Sequence, residues 1–228
     1  MGKVLETQII FGILFGLEIA FFKLSCIKLN LFILSSSMAT RKKLLFFFID
    51  RLNEINLDYV RNIGAILIVR KPDNFNEKSL KKLQSDCLRR NIPLYIGNNI
   101  KTLFKLNSNR LYISAYNKVQ TSSLIKINGK IDIIGSAHNI SEIREKIQQG
   151  CKKILLSRIF KTSYENKKGW LGPIKFNLLT RNMKANFIAL GGINQKNFNQ
   201  LKNLNIVGIA LSSAKKKAGN FLPAFYKK

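Results

Sequence analysis

Hydrophobic residues along this chain fall into short unbroken runs separated by segments of helical period, and the alternation begins at Leu44. Leu44 to Ile49 (LLFFFI), Ala65 to Val69 (AILIV), Leu94 to Ile96 and Leu111 to Ile113 each read as a strand. So do Ile131 to Ile134, Ile154 to Leu156, Phe187 to Leu190 and Ile206 to Leu211. A run without polar alternation is a strand covered on both faces, as in a parallel sheet. The stretches between them carry helix signals. Asn53 to Ile63 puts Ile55, Tyr59 and Ile63 on one face, and a second helix is expected from about Asn76 to Arg90. Asn194 is placed to cap a helix whose apolar positions are Phe198, Leu201 and Leu204. Strands alternating with helices at a step of about 20 residues predict an α/β fold, a (β/α)8 TIM barrel. A doubly wound open sheet is the alternative, and it lacks the G-x-G-x-x-G turn expected after the first strand.

In such a barrel the chemistry belongs to the C-terminal ends of the strands. Those ends read Asp50-Arg51, Arg70-Lys71, Asn98-Asn99, Ser114 to Asn117, Ser136-Ala137-His138, Arg158 to Thr162, Gly191-Gly192-Ile193 and Ser212-Ser213. The collection is cationic, rich in hydrogen-bond donors and poor in carboxylates, which suits a phosphorylated substrate. A glycine pair lets main-chain N–H groups approach an oxyanion, and hydroxyls after the next strand add donors. The loops after strands seven and eight are a common phosphate site in this architecture.

These residues in this order resemble the thiamine phosphate synthase and TenI superfamily, from about Leu44 to the C-terminus. Ile133 to Glu142 (IIGSAHNISE) looks like the family's S-x-H segment. Arg158 to Thr162, with Leu171 to Pro173, looks like its strand-six loop. Ala189 to Asn194 (ALGGIN) and Ile209 to Ala214 (IALSSA) look like its phosphate-binding ends. The resemblance implies thiamine biosynthesis: a transferase that couples hydroxymethylpyrimidine diphosphate to thiazole phosphate and releases pyrophosphate. It leaves two alternatives, a TenI-like metal-independent thiazole tautomerase and a barrel that binds a phosphorylated ligand without catalysis.

Carried over by position, the resemblance implies catalytic roles for His138 and Arg70. It implies substrate contacts at Asn98, Ser136, Thr162, Lys167, Gly191, Gly192, Ser212 and Ser213. His138 is the single histidine of the chain, and imidazole is suited to proton transfer near neutrality. The family's magnesium is the cofactor in question. Asn99 stands where its aspartate is expected and the second carboxylate is replaced around Asn117, so the ligands expected for Mg2+ are missing and no protein ligand to metal is assigned. The Q-x-R-x-K segment keeps only Arg70, with Ile68 and Pro72 at the flanking positions.

Composition narrows the picture further. The 228 residues, 46% of them hydrophobic, suit one domain with a sizeable core. A formal net charge of +27 raises nucleic acid as a partner. The Lys and Arg are spread through nearly every segment and no nucleic-acid module is present, so small phosphorylated pyrimidine and thiazole substrates are the expected partners. Cys26, Cys87 and Cys151 are too far apart for a C-x-x-C motif. That pattern fits a reducing cytoplasm. Residues 1–37 read as an apolar extension preceding a barrel over 38–228. Ile9 to Phe22 is apolar for 14 positions around Glu18, short of the roughly 20 needed to span a bilayer. A translation start at Met38 is the preferred reading and a membrane anchor the alternative. Oligomeric state is left open.

Overall fold

The computed structural model describes residues 43–51, 55–119, 131–162 and 169–211. The expectation for residues 1–37 lies outside the described residues, as do those for Lys167, Ser212 and Ser213.

Eight parallel strands close into a barrel in sequence order. They are β1 (Leu44–Ile49), β2 (Ile66–Val69), β3 (Leu94–Gly97), β4 (Arg110–Ile113), β5 (Asp132–Ala137), β6 (Lys153–Ser157), β7 (Asn186–Leu190) and β8 (Gly208–Leu211). Closure is made by β1, which pairs with β2 through Phe46↔Ile66 and with β8 through Leu44↔Gly208. Five α-helices are seen among the described residues: α1 (Leu57–Ile63), α2 (Glu77–Arg89), α3 (Ile100–Lys105), α4 (Ile140–Gln148) and α5 (Gly172–Thr180). None of the helices among the described residues is long and apolar enough to cross a membrane.

The unbroken apolar runs have a direct physical cause. In β1, Phe46 and Phe48 point into the barrel with Ile68, Tyr95, Tyr112, Ile134, Leu155, Ile188 and Ala210. Leu45, Phe47 and Ile49 instead join the larger core between strands and helices. Both faces are dry, so neither tolerates the polar half of an alternating pattern. The two inward tyrosines each have a hydroxyl partner. Tyr95 donates to Asp132 at 2.5 Å, and Asp132 pairs with Lys153 at 3.1 Å where β5 and β6 begin. Tyr112 meets Ser136 Oγ at 3.0 Å near the opposite end.

Asparagines start four of the five helices seen among the described residues, α5 instead following Leu171 without a side-chain cap. Asn76, Asn99 and Asn139 each accept a main-chain N–H with the side-chain oxygen, at 2.7 Å, 2.9 Å and 2.9 Å, at the starts of α2, α3 and α4. The expected helix after β7 is not formed. Asn194 takes the N–H groups of Lys196 and Asn197 instead, and the segment contains only a single 3-10 turn over Phe198–Leu201. Phe198, Leu201 and Leu204 are buried as expected of a packed face, but the asparagine-rich sequence offers its backbone side-chain partners that compete with a helix.

Candidate active site

The ends of β6 and β7 form one structure. Ile159 donates its N–H to Leu190 O at 3.0 Å and Phe160 to Gly191 O at 3.1 Å, so the segment after β6 runs along the end of β7. Gly191 and Gly192 have φ of 98° and 69°. A Cβ on Gly192 would stand 2.4 Å from Lys161 O and 2.5 Å from Phe160 O, so only glycine allows this approach. The Gly192 carbonyl accepts from Asn197 Nδ2 at 2.8 Å. Peptide planarity then turns the Ile193 N–H to the opposite side.

Arg158 lies flush against Gly191, where an added Cβ would meet its Cγ at 2.9 Å. Its Nη1 reaches Thr162 Oγ1 at 3.2 Å. A guanidinium beside a half-buried main-chain turn is a strong anion partner, because charge-assisted hydrogen bonds are about twice as strong as neutral ones. Arg158 was legible only as part of a cationic strand end. Its packing against Gly191 depends on the 33-residue separation being closed by β6 and β7, which pair side by side.

Across β1 and β2, Arg70 and Asp50 form a two-point ion pair, Nε to Oδ1 at 3.2 Å with a closer contact from Nη2 to Oδ2. The guanidinium carbon sits 5.1 Å above the Phe48 ring, which in turn meets Tyr112 edge-on at 5.6 Å. Arg70 remains 40% exposed. The interior aromatics thus set the height of a half-exposed cation at the mouth.

Asn98 has φ of 54°, a left-handed conformation that asparagine tolerates better than most residues. Its Oδ1 accepts from Ser114 N at 2.8 Å and from Asn117 Nδ2 at 3.2 Å, joining the ends of β3 and β4. The hydroxyl of Ser136 is buried and engaged with Tyr112.

His138 follows β5 with its imidazole 38% exposed and its ring 5.9 Å from Tyr116. Its Nδ1 lies 2.9 Å from Glu142 Oε2, which also accepts the His138 N–H at 2.7 Å. A carboxylate can only accept, so Nδ1 carries the proton and Nε2 is left to exchange one with a ligand. Glu142 was not singled out in the sequence. The signal for it is N-x-x-E at the start of α4: Asn139 caps the Glu142 N–H, while the Glu142 carboxylate accepts the Asn139 side-chain amide and the N–H of the preceding histidine.

Behind β5 lies a buried lysine. Lys146 of α4 is fully buried, and its Nζ donates to Asn117 O at 2.7 Å and Gln149 Oε1 at 2.8 Å. Gln149 adds bonds from Nε2 to the carbonyls of Asn117 and Val119 at 3.0 Å and 2.9 Å. Gly135 makes room, since a Cβ there would meet Lys146 Cδ at 3.0 Å. Desolvation lowers the lysine pKa from its ordinary value of 10.5. Burial pushes the thiols of Cys87 and Cys151 up to about 12, which leaves neither available as a thiolate near neutrality.

The residues do not fit magnesium. Asn99 gives its side-chain oxygen to Thr102 N and its Nδ2 to Asp73 Oδ1, both at 2.9 Å. Asn117 gives its oxygen to Val119 N at 2.9 Å and its Nδ2 to Asn98. Each thus turns N–H donors, not oxygen ligands, away from the backbone it caps, whereas Mg2+ requires oxygen. Among the described residues no group of three or more His, Cys, Asp or Glu is placed to hold a metal ion.

Comparisons with known proteins agree with this architecture. The family profile described as "Thiamine monophosphate synthase" matches residues 60–214. The thiamine-phosphate synthase of Prochlorococcus marinus is 29% identical over 145 residues, covering 63% of this chain and 41% of that protein. That of Clostridium tetani is 24% identical over 155 residues, covering 66% of this chain and 74% of that protein. The chain therefore spans only about two fifths of the length of the first of these relatives. A thiamine phosphate pyrophosphorylase from Pyrococcus furiosus has the same fold, with a TM-score of 0.59 at 15% identity over 75% of this chain and 86% of that one. The fold is shared as well by 3-keto-L-gulonate-6-phosphate decarboxylase from Vibrio cholerae, with a TM-score of 0.58 at 11% identity over 75% and 88% of the two chains. With the profile covering more than half of its length, the chain belongs to the thiamine monophosphate synthase family.

Proposed function

We propose that this chain acts in thiamine biosynthesis as a thiamine-phosphate-synthase-like transferase, joining hydroxymethylpyrimidine diphosphate to thiazole phosphate. The observation that carries this reading is the Gly191–Gly192 turn, packed against the β6 loop with Arg158 on its flank. In this reading the turn and Arg158 hold the thiazole phosphate, assisted by Thr162, Lys167, Ser212 and Ser213.

At the other side of the mouth, Arg70 meets the diphosphate. Asp50 and Phe48 keep its guanidinium fixed, so little reorganisation accompanies the build-up of negative charge on the leaving group. The bond between the pyrimidine methylene carbon and the diphosphate oxygen breaks, and its electron pair leaves with pyrophosphate. The lone pair of the thiazole nitrogen then forms the new carbon–nitrogen bond. Asn98 holds the β3 and β4 ends together beside this path, with Ser136 and Tyr112 as the floor beneath it. The coupling itself transfers no proton. His138, with Nε2 as its exchanging nitrogen, serves proton movement on the thiazole ring before or after coupling.

The test is to incubate the purified chain with both precursors and follow pyrophosphate and thiamine phosphate together. Stoichiometric release of the two supports the reading. Absence of both products under every metal condition overturns it.

A further inference from the structure

Asn99 and Asn117 share a pattern that the loss of two carboxylates does not by itself require. In each, the oxygen is pinned by a main-chain N–H, of Thr102 or of Val119. In each, the amide nitrogen therefore faces an acceptor, Asp73 Oδ1 in one case and Asn98 Oδ1 in the other. The orientation is dictated by the backbone donors, since a flipped amide would set N–H against N–H. An aspartate at position 99 would keep the cap with one oxygen and present the other to Asp73. Two carboxylate oxygens at that separation repel unless a proton or a cation lies between them.

We infer that the Asn99–Asp73 hydrogen bond takes the place of a divalent cation, so that this site binds no Mg2+ and meets its anionic substrates with fixed protein cations alone. The amide N–H supplies the positive end that the ion would have supplied to Asp73. Asp73 is held by a neutral neighbour, and Asp50 is occupied by Arg70. The catalytic half of the inference, pyrophosphate departure without metal, rests on the function proposed above. The binding half does not.

The inference makes one substitution diagnostic. Asn99→Asp is expected to create a cation site with Asp73: the variant loses stability in chelator and regains it in millimolar MgCl2, a shift of about 2–4 °C for each kcal/mol recovered in a chain of this size. The native chain is expected to melt at the same temperature in MgCl2 and in chelator. Exchanging the pair, Asp73→Asn together with Asn99→Asp, restores a carboxylate–amide hydrogen bond and should abolish the magnesium response while preserving the fold. A magnesium-dependent rise in the native chain, or no magnesium response in a folded Asn99→Asp variant, overturns the inference. If Asn99→Asp does not fold in chelator, its recovery by MgCl2 supports the inference, and failure to recover while the exchanged pair folds overturns it. Loss of coupling on chelation in the native chain overturns the catalytic half. Complete absence of coupling counts against the proposed reaction and leaves the melting result to decide the cation site by itself.

Discussion

Glu142 Oε2 holds His138 at two points, accepting its main-chain N–H at 2.7 Å and lying 2.9 Å from its Nδ1. The consequence is a tautomer. Neutral imidazole held in this way carries its proton on Nδ1, and because His138 is the single histidine in the chain, its nitrogens can be read without overlap. In 15N spectra of the neutral imidazole the Nδ1–H form is expected to dominate, and Glu142→Ala should shift the population towards Nε2–H. The same substitution removes the acceptor of the His138 main-chain N–H and of the Asn139 side-chain amide, and is expected to cost about 1 kcal/mol. A dominant Nε2–H form in the native chain would refute the assignment.

A pair of glycines separates backbone strain from steric approach. Gly64 and Gly192 have nearly the same φ, 66° and 69°, but a Cβ at Gly64 would meet nothing within 4 Å. At Gly192 it would meet two carbonyl oxygens of the β6 loop. Gly64→Ala is therefore expected to cost about 1 kcal/mol in denaturant unfolding, the left-handed penalty alone. Gly192→Ala should cost roughly 3 kcal/mol or more and weaken thiazole phosphate binding, because the loop must move away from β7. Equal costs at the two positions would show that the β6 loop does not depend on this contact.

The buried Lys146 gives stability a signed dependence on pH. Desolvation holds its folded pKa below the ordinary 10.5, so between the lowered value and 10.5 the unfolded chain binds more protons than the folded one. Stability contributed at this site therefore rises with pH through that window and is flat below it. A neutral amine still has two hydrogens for its two acceptors, Asn117 O and Gln149 Oε1. In paired unfolding measurements the native chain should gain on Lys146→Met as pH climbs towards 10.5. A constant difference between the two across that range would contradict a desolvated ammonium.

What the sequence disclosed, and what it concealed, follows from the range of the interactions involved. All eight strands were legible because a strand dry on both faces cannot alternate, and the polar residues at their ends were legible for the same reason. The segment after β7 departs from the helix that the spacing of Phe198, Leu201 and Leu204 predicts, because its asparagines decide the local conformation. Lys146 gave no sign of burial, because one of its two acceptors, the Asn117 carbonyl, belongs to a loop 29 residues earlier. Asn99 was readable as a lost carboxylate, but the direction of its amide depends on Asp73, 26 residues away, and on the helix it caps. Arg158 had the same difficulty: its neighbour Gly191 is adjacent only through strand pairing.

The anchoring of a phosphate at the β6 and β7 ends is tested most directly by one affinity ratio. Calorimetry with thiazole phosphate and with the unphosphorylated thiazole alcohol, on the native chain and on Arg158→Met, isolates what the phosphate contributes. The native chain should prefer the phosphate ester, and Arg158→Met should lose about 10- to 100-fold in affinity for the ester alone, as expected for one charged hydrogen-bond partner. Equal affinity of the native chain for ester and alcohol, or an unchanged preference in Arg158→Met, would contradict the account.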